Sequence, residues 1–324
     1  MLEKLSGLSA LIGHTPLARL KLSGMDLFAK LEYNNFSGSI KDRAAYNMIY
    51  EAIKAGKITE DTIIVESSSG NFAIALASLC RSIQLKFVAV VDPNVNKSSQ
   101  SLLELLCHQV IKVTDRDATG GYLLTRLEAV KEFCRQKSNA FWPNQYENHN
   151  NYLSYYHGLG QEICDSFSDL DYAFIGVSTG GTITGLSLKL KEKFPGVRII
   201  GVDVEGSVVF GGKPRKRFIS GIGASITSPV LDKARIDEVM YISQLDIVQG
   251  CHELLAEQMI FGGASAGAVY VAIKKYFNAY RAPNTPKVVF LCPDKGNAYV
   301  DTIYDHEWLE SLKLACKDME PLYV

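Results

Sequence analysis

A chain of 324 residues, 47% hydrophobic and 21% charged, carries enough apolar material for one large α/β unit or two lobes with cores of their own, which excludes a disordered protein. Its formal net charge of −1 gives no global reason to expect nucleic acid or a membrane surface as partner, so any recognition of charged ligands must be local. The seven cysteines form no CxxC pair and no ligand spacing with the six histidines, so no metal site is expected and free thiols are. With neither a basic-flanked leader nor a run of ~18 apolar residues, the expected location is the cytoplasm.

In chain order, a strand at Leu27–Leu31 leads into Ser37-Gly38-Ser39-Ile40-Lys41-Asp42-Arg43, where a helix begins and runs over Asp42–Ala55. Next come a strand at Thr62–Val65, a helix at Gly70–Arg81, strands at Leu85–Val91 and Val110–Val113, and a helix at Gly120–Lys137. The polar, turn-rich stretch Pro143–Asn151 marks a lobe boundary or a site loop. Beyond it the pattern predicts a helix at Asn151–Phe167, a strand at Tyr172–Val177, a helix at Gly181–Phe194 and a strand at Arg198–Val204. A helix at Ser265–Tyr276, a strand at Lys287–Cys292 and a helix-like segment at Asp305–Lys317 complete the chain. Strands alternating with helices predict α/β architecture with mostly parallel sheets covered by helices.

Ligands in such folds gather at the carboxyl ends of strands. An amine at position 41, at the first turn of a helix and partly shielded from water, is discouraged from holding its proton, as a Schiff-base lysine requires; the alternative is a solvated surface lysine. Glu66-Ser67-Ser68-Ser69-Gly70-Asn71 offers hydroxyls and N–H groups for a carboxylate or phosphate, or simply an N-cap cluster. Ser178-Thr179-Gly180-Gly181-Thr182-Ile183-Thr184-Gly185 has the glycines of a phosphate cradle, with a tight strand-to-helix turn as the alternative. Gly262–Ala268, after the apolar Met259-Ile260-Phe261, opens another helix and contributes the Ser265 hydroxyl. Asp203 beyond the second of these turns imitates a dinucleotide-binding unit, but the glycine spacing is not G-x-G-x-x-G.

Taken together, Lys30-Leu31-Glu32, Ser39–Arg43, Ser69-Gly70-Asn71, Asn144-Gln145-Tyr146, Ser178–Thr182, Gly221-Ile222-Gly223-Ala224 and Gly263–Gly267 resemble the pyridoxal-phosphate enzymes of the cysteine synthase and cystathionine β-synthase family. The likeness runs from Ile12-Gly13-His14-Thr15-Pro16-Leu17 to Pro293-Asp294. It implies a two-lobed fold type II enzyme, tryptophan synthase β-like, with a smaller mobile lobe at 42–145 and a larger lobe from 1–41 and 146–324. A homodimer is implied too.

The same likeness implies pyridoxal 5'-phosphate as cofactor, Lys41 as the residue that bonds to it and moves the Cα proton, and Asn71 at its phenolic oxygen. Ser178, Thr179, Gly180, Gly181 and Thr182 would hold its phosphate, and Ser265 would face the ring nitrogen. Ser68, Ser69, Gly70, Asn71 and Phe72 would clasp the substrate carboxylate with Gln145, next to Tyr146, and Gly221 would line the mouth. A hydroxyl at the ring nitrogen makes a mild electron sink, which favours loss of a β-substituent and hence β-replacement.

Gly120–Arg126, Tyr155-Tyr156-His157-Gly158 and Val204–Gly211 resemble one branch of the family, which makes N-(2-amino-2-carboxyethyl)-L-glutamate for 2,3-diaminopropionate and siderophore synthesis. That implies O-phospho-L-serine as donor, L-glutamate as acceptor and an aminoacrylate intermediate. Arg126 and the run Lys213, Arg215, Lys216, Arg217 would attract these anions; a structural ion pair and a solvated surface run are the alternatives. Two departures stand out: Asn35 is followed by Phe36 where the family commonly has Pro, and Phe72-Ala73 replaces Thr-Gly, so a bulky Phe72 is expected beside the clasp. The competing functions are a cysteine synthase using O-acetylserine or O-phosphoserine with sulfide, and a non-catalytic amino-acid or partner-binding protein on the same fold.

Overall fold

Short apolar runs alternating with amphipathic stretches build two separate sheets, seen in a computed structural model that describes residues 1–118, 120–279 and 284–317. The first half contains α1 (Leu2–Leu8), β1 (Leu17–Leu22), β2 (Met25–Lys30), α2 (Lys41–Lys54), β3 (Ile63–Ser67), α3 (Asn71–Ser82), β4 (Lys86–Val91), α4 (Lys97–Leu106), β5 (Gln109–Lys112), α5 (Leu123–Gln136) and β6 (Ala140–Phe141). The second half contains α6 (His149–Ser154), α7 (Gly160–Ser166), β7 (Tyr172–Gly176), α8 (Gly181–Lys193), β8 (Arg198–Val204), β9 (Glu238–Ile242), α9 (Gln244–Gln258), α10 (Ala264–Ala279), β10 (Lys287–Leu291) and α11 (His306–Lys317).

The larger sheet has the order β1-β2-β10-β7-β8-β9 and the smaller one β5-β4-β3-β6. Among the described residues only β1 and β2 pair as antiparallel neighbouring strands, with Leu17 opposite Lys30; the other neighbouring strands run parallel, as the sequence predicts. Parallel strands covered on both faces need near-continuous apolar runs, and β4 and β8 are buried at every position after the first. The edge strand β1 instead exposes Arg19 and Lys21, charges that discourage further strand pairing.

One apolar cluster runs from Ala44, Met48, Leu76 and Phe87 beside the smaller sheet to Ile175, Ile183 and Leu186 beside the larger, so the two sheets share a core. A second cluster packs α9 and α10 on the other face of the larger sheet. The carboxyl ends of β3, β7 and β10 thereby meet over one cavity, where Asn71, Ser178 and Asp294 follow their strands. Among the described residues no helix is long and apolar enough to cross a membrane. The seven cysteines are thiols.

Met259-Ile260-Phe261 links α9 to α10, with Met259 in the left-handed region at φ 56°, which ends α9. One expectation is corrected. The helix expected at Asn151–Phe167 is broken into α6 and α7 by a π turn at Tyr155–Leu159. That wider turn lies directly on α8, where a Cβ at Gly185 would stand 2.3 Å from the Tyr152 carbonyl oxygen.

Candidate active site

Lys41 opens α2 without a capping side chain, so its position is set by the loop before it. Gly38, at φ +93°, makes the sharp turn; the Lys41 N–H donates to Ser39 Oγ at 3.2 Å, and the Ile40 N–H donates to the Pro293 carbonyl at 2.8 Å. Ser39 also bridges to Asp294, so the lysine loop is sewn to the end of β10. Burial pulls the Lys41 amine down to about 8, against the upward pull of the Asp294 carboxylate. At pH 7 about one such amine in ten is neutral, against roughly one in three thousand for an unshifted lysine.

Behind Lys41 lies a closed set of two cations and two anions. The Arg43 guanidinium donates to Glu32 at 2.6 and 2.8 Å and to Glu162 at 2.7 and 2.9 Å, and Lys30 Nζ donates to Glu162 at 2.7 Å. Burial works against the charged Glu162, but the hydrogen bonds from Arg43 and Lys30 outweigh it and hold the carboxyl at about 2. This network clamps the first turn of α2 to the end of β2 and to α7, so the Lys41 backbone has little freedom.

At the opposite side of the same cavity, the turn after β7 starts α8. Gly180 lies at φ +87°, and a Cβ on Gly181 would stand 2.2 Å from Asn151 Oδ1, so the turn requires both glycines. Ser178 Oγ donates to the Gly223 carbonyl at 3.0 Å, and the Gly223 N–H donates to Val177 at 2.8 Å, which ties the turn to the glycine loop at 221–223. Of the residues singled out from sequence, Lys41, Asn71, Ser178, Thr179, Gly180, Thr182, Gly221 and Ser265 line this cavity together. Gly181 directs its backbone into α8 just behind them.

Of the residues expected to clasp a substrate carboxylate, Asn71 lines that cavity, while Ser68, Ser69, Gly70, Phe72 and Gln145 are not in its wall. Ser68 Oγ accepts the Ala73 N–H at 3.2 Å and so satisfies one first-turn donor of α3, whose N-cap position is Gly70. Ser69 and Gly70 follow it, and the backbone carbonyl of Gln145, 6% exposed, accepts from Asn151 Nδ2 at 2.6 Å. Phe72 is 3% exposed, and its ring packs into the shared core. Arg126 forms the ion pair that its structural reading anticipates, with Nε 3.3 Å from Asp92 Oδ2, and its Nη1 reaches Ser69 Oγ at 3.4 Å. In the basic run only Arg217 turns inward, donating to Ser225 Oγ at 2.7 Å, while Lys213, Arg215 and Lys216 are exposed. Arg126 and Arg217 both lie close enough to lower the Tyr146 phenol's pKa, although burial dominates and keeps it raised.

Sequence reasoning missed Asp294, which is 5% exposed and lines the cavity. Its signal was the rule already applied elsewhere, because it stands in the loop after a parallel strand. Its Oδ2 accepts Asn71 Nδ2 at 2.6 Å.

A desolvated amine facing a glycine-rich helix start across one cavity suits an aldehyde with an anionic tail. Comparison with known proteins agrees, since the profile of the family described as pyridoxal-phosphate dependent enzyme matches residues 8–294. The chain belongs to this family. The N-(2-amino-2-carboxyethyl)-L-glutamate synthase of Ralstonia nicotianae is 43% identical over 303 residues, covering 92% of this chain and 89% of that protein. The O-acetylserine dependent cystathionine β-synthase of Helicobacter pylori superposes with a TM-score of 0.84 at 31% identity, covering 92% of this chain and 98% of that one. A hydrogen sulfide-producing enzyme from Fusobacterium nucleatum gives 0.84 at 31% identity, covering 90% and 98% respectively. The O-ureido-L-serine-bound variant of O-ureido-L-serine synthase gives 0.85 at 25% identity over 94% and 98%. The fold is therefore type II, the cofactor is pyridoxal phosphate, and the chain is a β-substituted alanine synthase.

The cavity fits that cofactor: Lys41 would hold its aldehyde carbon, the Ser178–Thr182 turn its phosphate and Ser265 its ring nitrogen.

Proposed function

We propose that this enzyme joins O-phospho-L-serine and L-glutamate to give N-(2-amino-2-carboxyethyl)-L-glutamate and phosphate. The observation that carries the reading is the near full-length likeness to a synthase of that name, in a chain whose clasp is flanked by Arg126 and Arg217. Two guanidinium groups beside one clasp suit a donor bearing phosphate and an acceptor bearing a second carboxylate.

When bound, pyridoxal phosphate supplies the electron sink that makes the substrate Cα–H acidic and lets the β-substituent depart. The chain's own residues do the rest. Lys41, partly neutral near pH 7, takes the Cα proton at Nζ and later returns it. The N–H groups and hydroxyls of Ser68–Asn71, with Gln145, bind the substrate carboxylate and orient Cα–H toward Lys41. Residues 42–145, which contain the smaller sheet and the clasp, form the lobe that closes over substrate and keeps water from the reacting carbon.

Two measurements test this. Lys41→Ala should abolish turnover and leave no cofactor fixed to the protein by borohydride; a fully active variant would refute the role of Lys41. Mass spectrometry of products from O-phosphoserine or O-acetylserine, offered glutamate and sulfide in competition, should return the glutamate adduct. Cysteine as the sole product would refute the acceptor while leaving the cofactor chemistry in place.

A further inference from the structure

The cavity contains a carboxylate that the scheme above does not use. Asp294 stands where three segments meet: Ser39 bridges to it, its carbonyl accepts the Gly263 N–H at 3.1 Å, and its side chain reaches Asn71 at the start of α3. Oδ2 takes two donors, Asn71 Nδ2 at 2.6 Å and the Tyr299 hydroxyl at 3.0 Å. Oδ1 is buried with no hydrogen-bond partner, and it lies so close to Gly263 that a Cβ there would stand 2.1 Å away. Gly263 thus gives the carboxylate its place, and Tyr299 keeps it turned toward Asn71.

A side-chain amide has a donor end and an acceptor end and can present either. A carboxylate only accepts, so contact with Asp294 decides the orientation: the NH₂ of Asn71 faces Asp294, and its second N–H is left for an oxygen in the cavity. The surrounding ionisable groups add no competing charge. Burial raises the phenols of Tyr299 and Tyr304, and pushes the thiols of Cys251 (to about 12) and Cys292 up, so all four stay neutral near pH 7. Burial holds the Asp294 carboxyl above its ordinary value, and the donors Asn71 and Tyr299 together with the Lys41 charge offset only part of that rise.

We propose that Asp294 is a positioning residue: its carboxylate locks the orientation of the Asn71 amide and provides the counter-charge to Lys41, joining the ends of the two sheets at the cofactor cavity. The proposal rests on Lys41 and Asn71 serving the cofactor, and is independent of which acceptor the enzyme uses.

The test is Asp294→Asn, which keeps the shape and removes the charge, with Tyr299→Phe as a second variant that keeps the charge and removes one donor. In cofactor-free protein, acylation of Lys41 followed against pH by mass spectrometry should be at least about three-fold faster at pH 7 in Asp294→Asn, because the counter-charge no longer holds the proton on the amine. Tyr299→Phe should leave that rate within about two-fold. Pyridoxal phosphate should leave both loaded variants faster, on the order of ten-fold for Asp294→Asn, because Asn71 loses its fixed orientation. Unchanged labelling together with unchanged cofactor release in Asp294→Asn would overturn the proposal. Should that variant not fold, unchanged release from Tyr299→Phe would overturn it. Failure of the underlying assignment would appear separately, as borohydride fixing no cofactor to Lys41 in the unsubstituted protein.

Discussion

Replacing Glu32 with Gln removes one charge from the closed set of four behind Lys41. Glu32 is fully buried and accepts from Arg43 Nε at 2.6 Å, Arg43 Nη2 at 2.8 Å, Thr15 Oγ1 at 2.5 Å and Asn35 Nδ2 at 3.1 Å. Four donors converge on two carboxylate oxygens. A glutamine offers one oxygen and turns an NH₂ toward the remaining donors, while Arg43 keeps only Glu162 as its ionic partner. Breaking one side of a buried pair costs about 3–5 kcal/mol, and the donors left facing the amide fall within that range. Urea denaturation should therefore give an unfolding free energy lower by about 3–5 kcal/mol. Arg135→Ala is the control: that side chain is 60% exposed beside Glu128 and Glu132, and its loss should leave the midpoint where it was. A Glu32→Gln cost below about 1 kcal/mol would refute the view that this network clamps α2. The partner Glu162 supplies a pH signature. Its folded value of about 2 lies below the ordinary 4.5, so its stabilisation is complete above pH 4.5 and is lost as pH falls toward 2.

Three further outcomes follow from the same geometry. Glu66 is fully buried, accepts from Trp142 Nε1 and the Ser67 N–H at 2.9 Å each, and is raised by burial to about 7, so its contribution is complete below pH 4.5 and lost as pH rises through 7. Glu66→Gln should weaken this decline in melting midpoint between pH 5 and pH 8; an unaltered pH dependence would show that the carboxyl is not the titrating group. Gly185→Ala drives a Cβ against the Tyr152 carbonyl, so α8 must shift at a cost of about 1–3 kcal/mol, and pyridoxal phosphate should dissociate faster as the Ser178–Thr182 turn moves with it. Equal dissociation rates would mean that the turn is held independently of that contact. Arg126→Gln should raise KM for glutamate by about 10-fold or more and leave sulfide turnover nearly unchanged; equal effects on both would assign Arg126 to Asp92 alone.

The parts of the site that were legible beforehand are those coded within a few residues. A strand, two glycines and a helix start at 176–182 specify a tight strand-to-helix turn wherever the chain is placed, and Ser39–Arg43 places the lysine at a helix start. Weaker local patterns escaped. The alternation of Leu17, Leu20 and Leu22 with Arg19 and Lys21 forms the edge strand β1, and β9 begins at a charged residue. The burial of Phe72 was not legible either, because side-chain direction on α3 depends on what packs beneath it, and the core takes that ring.

By itself, then, the amino-acid order determined the parallel α/β architecture, a lysine at the start of a helix and a glycine-rich strand-to-helix turn, since period and turn chemistry act over short stretches. Only the tertiary structure decided the chemistry of the amine. Asp294 meets Asn71 across 223 positions of chain and Lys30 meets Glu162 across 132, and the Lys41 value near 8 comes from burial among segments distant in the sequence. Desolvation and charge act through space, and the neighbours that impose them are chosen only when the two sheets pack on their common core.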